Sequence, residues 1–449
     1  MRAYIETIGC QMNVYDATRI ENALQNMGYT LTPDLDAADL ILLNSCAIRE
    51  KAQQKTYSFL GRLTALKEKK PSLLVVLAGC VAQQDGAKAR GRLPVIDIVL
   101  GTHAIFKLPQ MIEDIRSGKK KACVDVAFST DIARFEAFAT VPEKVPPARF
   151  VTIMQGCDNF CTYCVVPHVR GREMSRPPEN ILKEVEATVK AGAKEVTLLG
   201  QNVNSYGKKE GFPSFPELLA DISKIDGLER IRFTTSHPKD LSDELIDAFA
   251  TNPKLCGHIH LPVQSGSTDM LHRMNRHYTR DEYLGRVRKL RMANPGIALT
   301  TDIIVGFPGE TEKDFLETVS LLDEVLYDGL FAFMYSDRKS APARAFSDKV
   351  PEVEKKKRIH IILKKQEQIT LEKLSKLVGT TQTILIEGES PRAINDTPKT
   401  KTPQYMGRTL CNRIVHAVST TGAPQIGDVV SVHIERAFSH SLYGRMELV

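Results

Sequence analysis

No stretch of this 449-residue chain reaches the roughly 18 uncharged apolar residues of a membrane span. Its beginning, Met1-Arg2-Ala3-Tyr4-Ile5-Glu6-Thr7, lacks the apolar core of a secretion signal. Both absences predict a cytoplasmic protein that does not contact a membrane. In that compartment the nine cysteines are better read as ligands or buried thiols than as disulfides. Excess charge is also scarce. A net +6 does not by itself establish a nucleic-acid partner, and Lys119-Lys120-Lys121 and Lys355-Lys356-Lys357-Arg358 read first as solvated faces. With 42 % hydrophobic and 25 % charged residues the composition is that of a globular protein. Its length predicts two or three domains, each with its own core.

One local run has three cysteines and no fourth: Gly156-Cys157-Asp158-Asn159-Phe160-Cys161-Thr162-Tyr163-Cys164. Protein iron–sulfur clusters normally use four thiolates, so a cubane held here would keep one iron open to a ligand that is not protein. Two other readings stand beside this one. Zinc accepts three Cys and one His, and His168 follows at four residues, but Pro167 precedes it and the spacings of a finger are absent. An ordinary electron-transfer cluster would need a distant fourth ligand. The segment resembles the signature of the radical S-adenosylmethionine (SAM) superfamily, including the aromatic Tyr163 before the last cysteine. That resemblance implies SAM bound at the open iron.

A second set of three cysteines is dispersed. Apolar runs over residues 3–9, 39–45 and 73–79 lead to Cys10, Cys46 and Cys80, spaced by 36 and 34 residues, the length of a strand–helix unit. Helical patterns follow over 14–27, 50–69 and 83–90. The two later runs are continuously apolar, as in a parallel sheet covered on both faces, and ligands gather outside the carboxyl ends of such strands. Three cysteines at one topological position predict a second cluster. Here the sequences Ile8-Gly9-Cys10-Gln11-Met12-Asn13-Val14 and Asn44-Ser45-Cys46-Ala47-Ile48-Arg49 resemble the N-terminal, flavodoxin-like domain of methylthiotransferases. They are most similar to the MiaB type, which acts on transfer RNA. The resemblance implies a second four-iron cluster on Cys10, Cys46 and Cys80 as the sulfur source. Cys123, Cys256 and Cys411 have no partner spacing and read as buried or half-buried thiols.

Beyond a connector at 119–142, strand-like runs at 150–154, 196–199, 231–234, 258–261, 298–305 and 330–333 alternate with helical patterns such as 181–191, 240–249 and 312–326. This is the pattern of a parallel α/β sheet. The superfamily resemblance makes it an open (β/α)6 barrel over residues 143–374, with its chemistry at the carboxyl ends of the strands. Gln201, Asn202, Ser236, Gln264, Asp302 and Ile304 lie at those ends and are, with Tyr163, the candidate SAM contacts. Glu310 reads equally as a helix cap. The basic loop Arg170-Gly171-Arg172-Glu173-Met174-Ser175-Arg176 leaves two readings open, guidance of RNA phosphate or pairing with acidic core groups. A charged amphipathic helix over 353–377 precedes short strands at 381–387, 413–418 and 429–434, which suggest a small β-barrel. Arg408-Thr409-Leu410-Cys411-Asn412-Arg413 resembles a TRAM domain, an OB-like RNA-binding barrel, over 377–449, with Arg408, Asn412 and Arg413 as RNA contacts.

The resemblance covers the chain in three blocks, with 1–118 as the first. It implies a transferase with two 4Fe–4S clusters and SAM, which adds a methylthio group to carbon 2 of N6-(dimethylallyl)adenosine beside the anticodon of transfer RNA. It further implies a 5′-deoxyadenosyl radical as the agent of C–H cleavage, a flavodoxin or ferredoxin as electron donor, iron–sulfur carrier proteins as suppliers, and a monomer. The alternatives are the same chemistry on threonylcarbamoyladenosine or a ribosomal-protein aspartate, and a non-enzymatic metal-containing RNA-binding protein. Gln11-Met12-Asn13 stands where the protein-modifying members carry Pro-Lys-Asn, which favours RNA.

Overall fold

The computed structural model describes every residue except 48–49, 391–402, 420–421 and 448–449. Ile48 and Arg49 of the motif around Cys46 therefore lie outside the described residues. No helix among those described is long and apolar enough to cross a membrane.

The first lobe is a six-stranded parallel sheet. Its three expected strands are Arg2–Ile8, Leu40–Ser45 and Leu74–Gly79. The last two are buried at every position, which is why Leu40–Leu43 and Leu74–Gly79 are apolar without alternation; Asn44 and Ser45 are the buried polar residues that lead to Cys46. Thr30–Leu31, Ile98–Leu100 and Cys123–Asp125 complete the sheet. The last belongs to the segment expected as a connector. It pairs with Ile98–Leu100, and a three-residue strand is too short to show a period in sequence. The third helix also differs from expectation: it starts at Cys80, breaks at Gly86 and resumes over Ala87–Arg92. The strand order places Arg2–Ile8 between Thr30–Leu31 and Leu40–Ser45, so the chain reverses its direction of winding there. Flavodoxin-like folds put ligands at such a switch point. Cys10 and Cys46 follow the two strands that flank it, and Cys80 follows the next.

The central lobe has all six expected strands, in two parallel three-stranded sheets. Ala148–Thr152, Glu195–Leu199 and Arg230–Phe233 form one; His258–His260, Ala298–Val305 and Gly329–Met334 form the other. A single bridge between Ile231 and Leu255 spans the seam. Helices such as Pro178–Lys190, Asp243–Thr251 and Glu312–Val325 cover the outside. Glu352–Ser375 then leads to a closed five-stranded barrel. Two of its strands, Gln404–Thr409 and Leu442–Glu447, were not expected from the sequence. The Lys355–Arg358 run is only half solvated. Lys356 and Lys357 are exposed, whereas Lys355 and Arg358 are buried against the central lobe, the latter paired with Glu310 at 2.7 Å.

The first two lobes are one packed body. Val165, Val169 and Ala341 of the central lobe belong to the same apolar core as Leu43, Val75 and Cys80. At this junction Arg176, fully buried, pairs with Glu184 of its own lobe at 2.7 Å and with Glu136 of the connecting segment at 2.9 Å, and Tyr15 of the first lobe donates to Glu184 at 3.1 Å. Removing one member of a buried pair strands the other charge and costs about 3–5 kcal/mol. Arg176→Met is expected to lose that much in urea unfolding of the metal-free protein. A loss below about 1 kcal/mol would show that the network does not secure the junction.

Candidate functional site

The CxxxCxxC loop leaves the first barrel strand through Met154–Gln155, which pairs with Met174–Ser175 to close the base of the loop. Gly156 has φ +85°, and a Cβ there would lie 2.0 Å from the Arg172 carbonyl oxygen, so only glycine fits. Its N–H donates to Gln201, which ties the loop to the end of the second strand. Each sulfur then has an N–H partner: Asn159 Nδ2 at 3.4 Å for Cys157, Arg276 Nη1 at 3.3 Å for Cys161, which also meets His237 Nε2 at 4.0 Å, and the Val166 backbone at 3.4 Å for Cys164. Burial pushes the Cys157 thiol up to about 11 and the Cys164 thiol to about 12. Both are protonated at neutral pH without a metal, so loading must release protons.

Cys10, Cys46 and Cys80 behave differently. The Cys46 thiol is hydrogen-bonded to both neighbours. That bond is the main cause lowering Cys10 to about 6 and Cys80 to about 7, with the Arg170 charge assisting against burial, while Cys46 is pushed up. Three sequence-distant thiols are thus in mutual contact at one sheet edge. Among the described residues no three His, Cys, Asp or Glu side chains converge on a point where one metal ion would sit. A four-iron cluster takes each thiolate on a different iron and has no such requirement.

The candidate SAM contacts separate into groups. Ser236 is buried and its hydroxyl has no partner, an orphan of the kind a ligand would satisfy. Ile304 and Tyr163 pack into one apolar cluster with Met270, Phe307 and Tyr335, so the motif's aromatic residue and the fifth strand form one wall. Gln264 is buried with φ +75° and bridges Ile303 through its backbone. Asp302 faces His260 at 3.5 Å. Asn202 has its side chain engaged by protein: it donates to Ser205 and Asp240 and accepts from the His237 backbone, binding the second strand loop to the third. Glu310 accepts from the Gly306 backbone and from Arg358, so it braces the fifth loop.

Of the basic loop, Arg170 and Arg176 are buried and paired with Asp16, Glu184 and Glu136, whereas the exposed Arg172 pairs with Asp158. Pairing with core acids describes the two buried residues. In the last barrel, Arg408 pairs with Glu387 and donates to Asn412, while Arg413 pairs with Asp328 of the central lobe at 3.0 Å. Arg408 and Asn412, with Gln11, Phe150, Thr197 and Arg232, line a cavity of about 330 Å³ shared by all three lobes. Arg413 is not among its lining residues and acts in docking.

Sequence reasoning missed Arg276. It is buried, donates to Cys161, and contacts Tyr163 Oη and the Pro262 carbonyl. It sits between Asn275 and His277, both in left-handed backbone, a strain that Met274-Asn275-Arg276-His277 does not announce. Metal-free alkylation tests the thiol electrostatics. Cys10 is expected to react with an inflection near pH 6 and Cys157 and Cys164 only slowly at pH 7. Peptide mass spectrometry showing equal labelling of all six would contradict it.

Residues 151–322 match the Radical SAM superfamily and residues 2–101 match Uncharacterized protein family UPF0004. The chain is 51 % identical over 99 % of its length, and 96 % of the relative's, to the tRNA-2-methylthio-N(6)-dimethylallyladenosine synthase of Desulfosudis oleivorans. A protein of the same name from Clostridium botulinum is 46 % identical over 98 % of this chain and 96 % of its own. Among solved structures, the radical S-adenosylmethionine methyltransferase TsrM from Kitasatospora setae, with cobalamin and a 4Fe–4S cluster bound, aligns with TM-score 0.57 at 13 % identity. The match covers 88 % of this chain and 81 % of that one. At that identity the likeness concerns the fold. The relatives match nearly end to end, and the chain belongs to the tRNA-2-methylthio-N(6)-dimethylallyladenosine synthase family of radical SAM proteins.

Proposed function

We propose that this chain methylthiolates carbon 2 of N6-(dimethylallyl)adenosine beside the anticodon in transfer RNA, as a cytoplasmic, monomeric transferase. The observation that carries this reading is the short helix Val166–Arg170. It begins against the Cys164 sulfur and ends where Arg170 reaches the triad of Cys10, Cys46 and Cys80. At 1.5 Å per residue it is about 8 Å long, so the two sets of thiols share one wall.

Cys157, Cys161 and Cys164 would hold one 4Fe–4S cluster and Cys10, Cys46 and Cys80 a second. When bound, the first supplies the electron that cleaves SAM to a carbon radical, and the second supplies sulfur. The residues' own work is placement. Ser236 offers its hydroxyl to SAM, Tyr163 and Ile304 give the apolar wall, Gln264 and Asp302 stand at adjacent strand ends, and Gln201 and Asn202 hold the loops. The three-lobe cavity begins one residue from Cys10, at Gln11, and takes the target base, which has to leave the stack to be reached. Arg408 and Asn412 meet the anticodon stem-loop at the cavity's edge. The blocks 1–118, 143–374 and 377–449 correspond to sulfur-source, radical and RNA-binding modules, with 119–142 joining the first two. A flavodoxin or ferredoxin delivers the electron, and iron–sulfur carriers load both clusters.

Replacing Cys10, Cys46 and Cys80 by Ala is expected to abolish the methylthio product, seen by mass spectrometry of tRNA nucleosides, while SAM cleavage persists. Loss of both activities in a folded variant contradicts the division of labour. Ser236→Ala is expected to leave the ligand-free protein as stable or slightly more so, because its buried hydroxyl is unpaired. SAM affinity should fall about fivefold to tenfold in equilibrium dialysis; unchanged affinity removes Ser236 from the site.

A further inference from the structure

Arg170 comes from the central lobe yet its side chain is buried in the junction with the first, 3 % exposed. Its Nη1 pairs with Asp16 Oδ2 at 2.6 Å. Asp16 lies on the helix Gln11–Asn26 capped by Cys10. Val165 and Val169 share an apolar core with Cys80, the first residue of its own helix. The backbone is pinned as well: the Val169 carbonyl accepts from Thr102 Oγ1 at 2.7 Å, and the Arg170 carbonyl meets His103 Nε2 at 2.8 Å. The guanidinium therefore sits between the helices that carry Cys10 and Cys80. Its Nη2 is buried and has no partner.

The surroundings carry surplus positive charge. Arg19 and Arg134 are also buried, and Arg134 lies close enough to feel Arg19, Arg170 and Asp16. Among the described residues, neither Arg19 nor Arg134 has an ion-pair partner. Arg19 donates to backbone carbonyls, and Arg134 to Gln155 and the Met174 sulfur. Asp16 is one buried carboxylate against three buried guanidiniums. Buried charge without a matching counter-charge is costly, and Asp16 alone does not match it. A cluster on three thiolates is an anion that would.

We propose that Arg170 is the counter-charge and hydrogen-bond donor of the cluster on Cys10, Cys46 and Cys80, a positioning residue lent by the radical lobe to the sulfur-source lobe. This rests on the second-cluster reading above. Cluster potentials follow net charge and hydrogen bonds to sulfur, so the loss of one cation and one donor shifts the potential downward. The full chain with Cys157, Cys161 and Cys164 changed to Ala isolates the second triad. After anaerobic reconstitution it should hold about four irons. Absence of iron at this stage overturns the second cluster itself, and the proposal with it.

Against that parent, Arg170→Met is expected to give a more negative midpoint potential and an altered electron-paramagnetic-resonance signal. Arg170→Lys, which restores the charge but not the planar fork, should fall between. An iron-loaded Met variant with the parent's potential and signal overturns the role of Arg170 and leaves the cluster standing. Arg170→Met strands Asp16, so its metal-free Tm is expected to fall whatever the cluster does; Arg170→Met with Asp16→Asn, which removes both charges, separates the two effects. Iron loss or a more negative potential in the double variant with the parent's metal-free Tm supports the proposal, and the parent's iron content and potential in it overturn the role of Arg170.

Discussion

The structure depends on fixing two independently formed sheets at one distance and angle, and buried charge does this. Arg170 with Asp16 crosses the junction of the first two lobes with almost no solvent access, and beside it Tyr15 of the first lobe donates to Glu184, which is itself paired with the buried Arg176. Apolar contact alone tolerates sliding, because dispersion and burial are weakly directional. A buried ion pair does not, since a shift of a few ångströms strands charge in a low-dielectric interior. The apolar cluster around Val165, Val169 and Cys80 supplies adhesion; the arginines supply register. Both arise from residues 165–176, directly after the CxxxCxxC motif, so the segment that forms one triad also locates the other.

The two triads are prepared by opposite means. Around Cys157, Cys161 and Cys164 every sulfur receives an N–H from a separate group, and burial holds two of the thiols protonated. Around Cys10 and Cys80 the shared partner is Cys46, and the Cys10 sulfur also meets Asn13 Oδ1 at 3.3 Å. On the proposed reading the first arrangement would need only deprotonation to take a cluster. The second would lose its internal hydrogen bonds once all three sulfurs were ligands, and would then depend on donors outside the triad.

Much of this was legible. Residues 40–43 and 73–79 read as buried parallel strands because they are continuously apolar, and each run leads to a cysteine. The six barrel strands were legible as short strand-like runs alternating with helical periods. Ile98–Leu100 and Cys123–Asp125 were not legible, because three residues hold no periodicity and take their pairing from the neighbouring strand. Charged residues failed for another reason. Arg134, Arg276 and Arg358 are written like surface residues, and only tertiary packing buries them. Local polarity therefore suggested solvent for Lys355–Arg358, where two of four side chains face the core. Asn202 shows the same limit within the site. Its place at a strand end was evident, but its engagement by Asp240, Ser205 and His237 depends on the third strand loop.

The last barrel is held to the enzyme by backbone more than by side chains. Arg230 donates to the Arg408 carbonyl, and Arg232 to those of Thr409 and Leu410, while Arg413 reaches back to Asp328. A loop whose carbonyls are occupied in this way cannot swing, so Arg408 and Asn412 are presented at a fixed distance from the cavity that begins at Gln11. A tethered RNA-binding module would raise the local concentration of any RNA without discriminating among its nucleotides. A fixed one couples binding to geometry. On the proposed reading, a nucleotide entering the cavity would be set by its spacing from the bound phosphates as well as by its base.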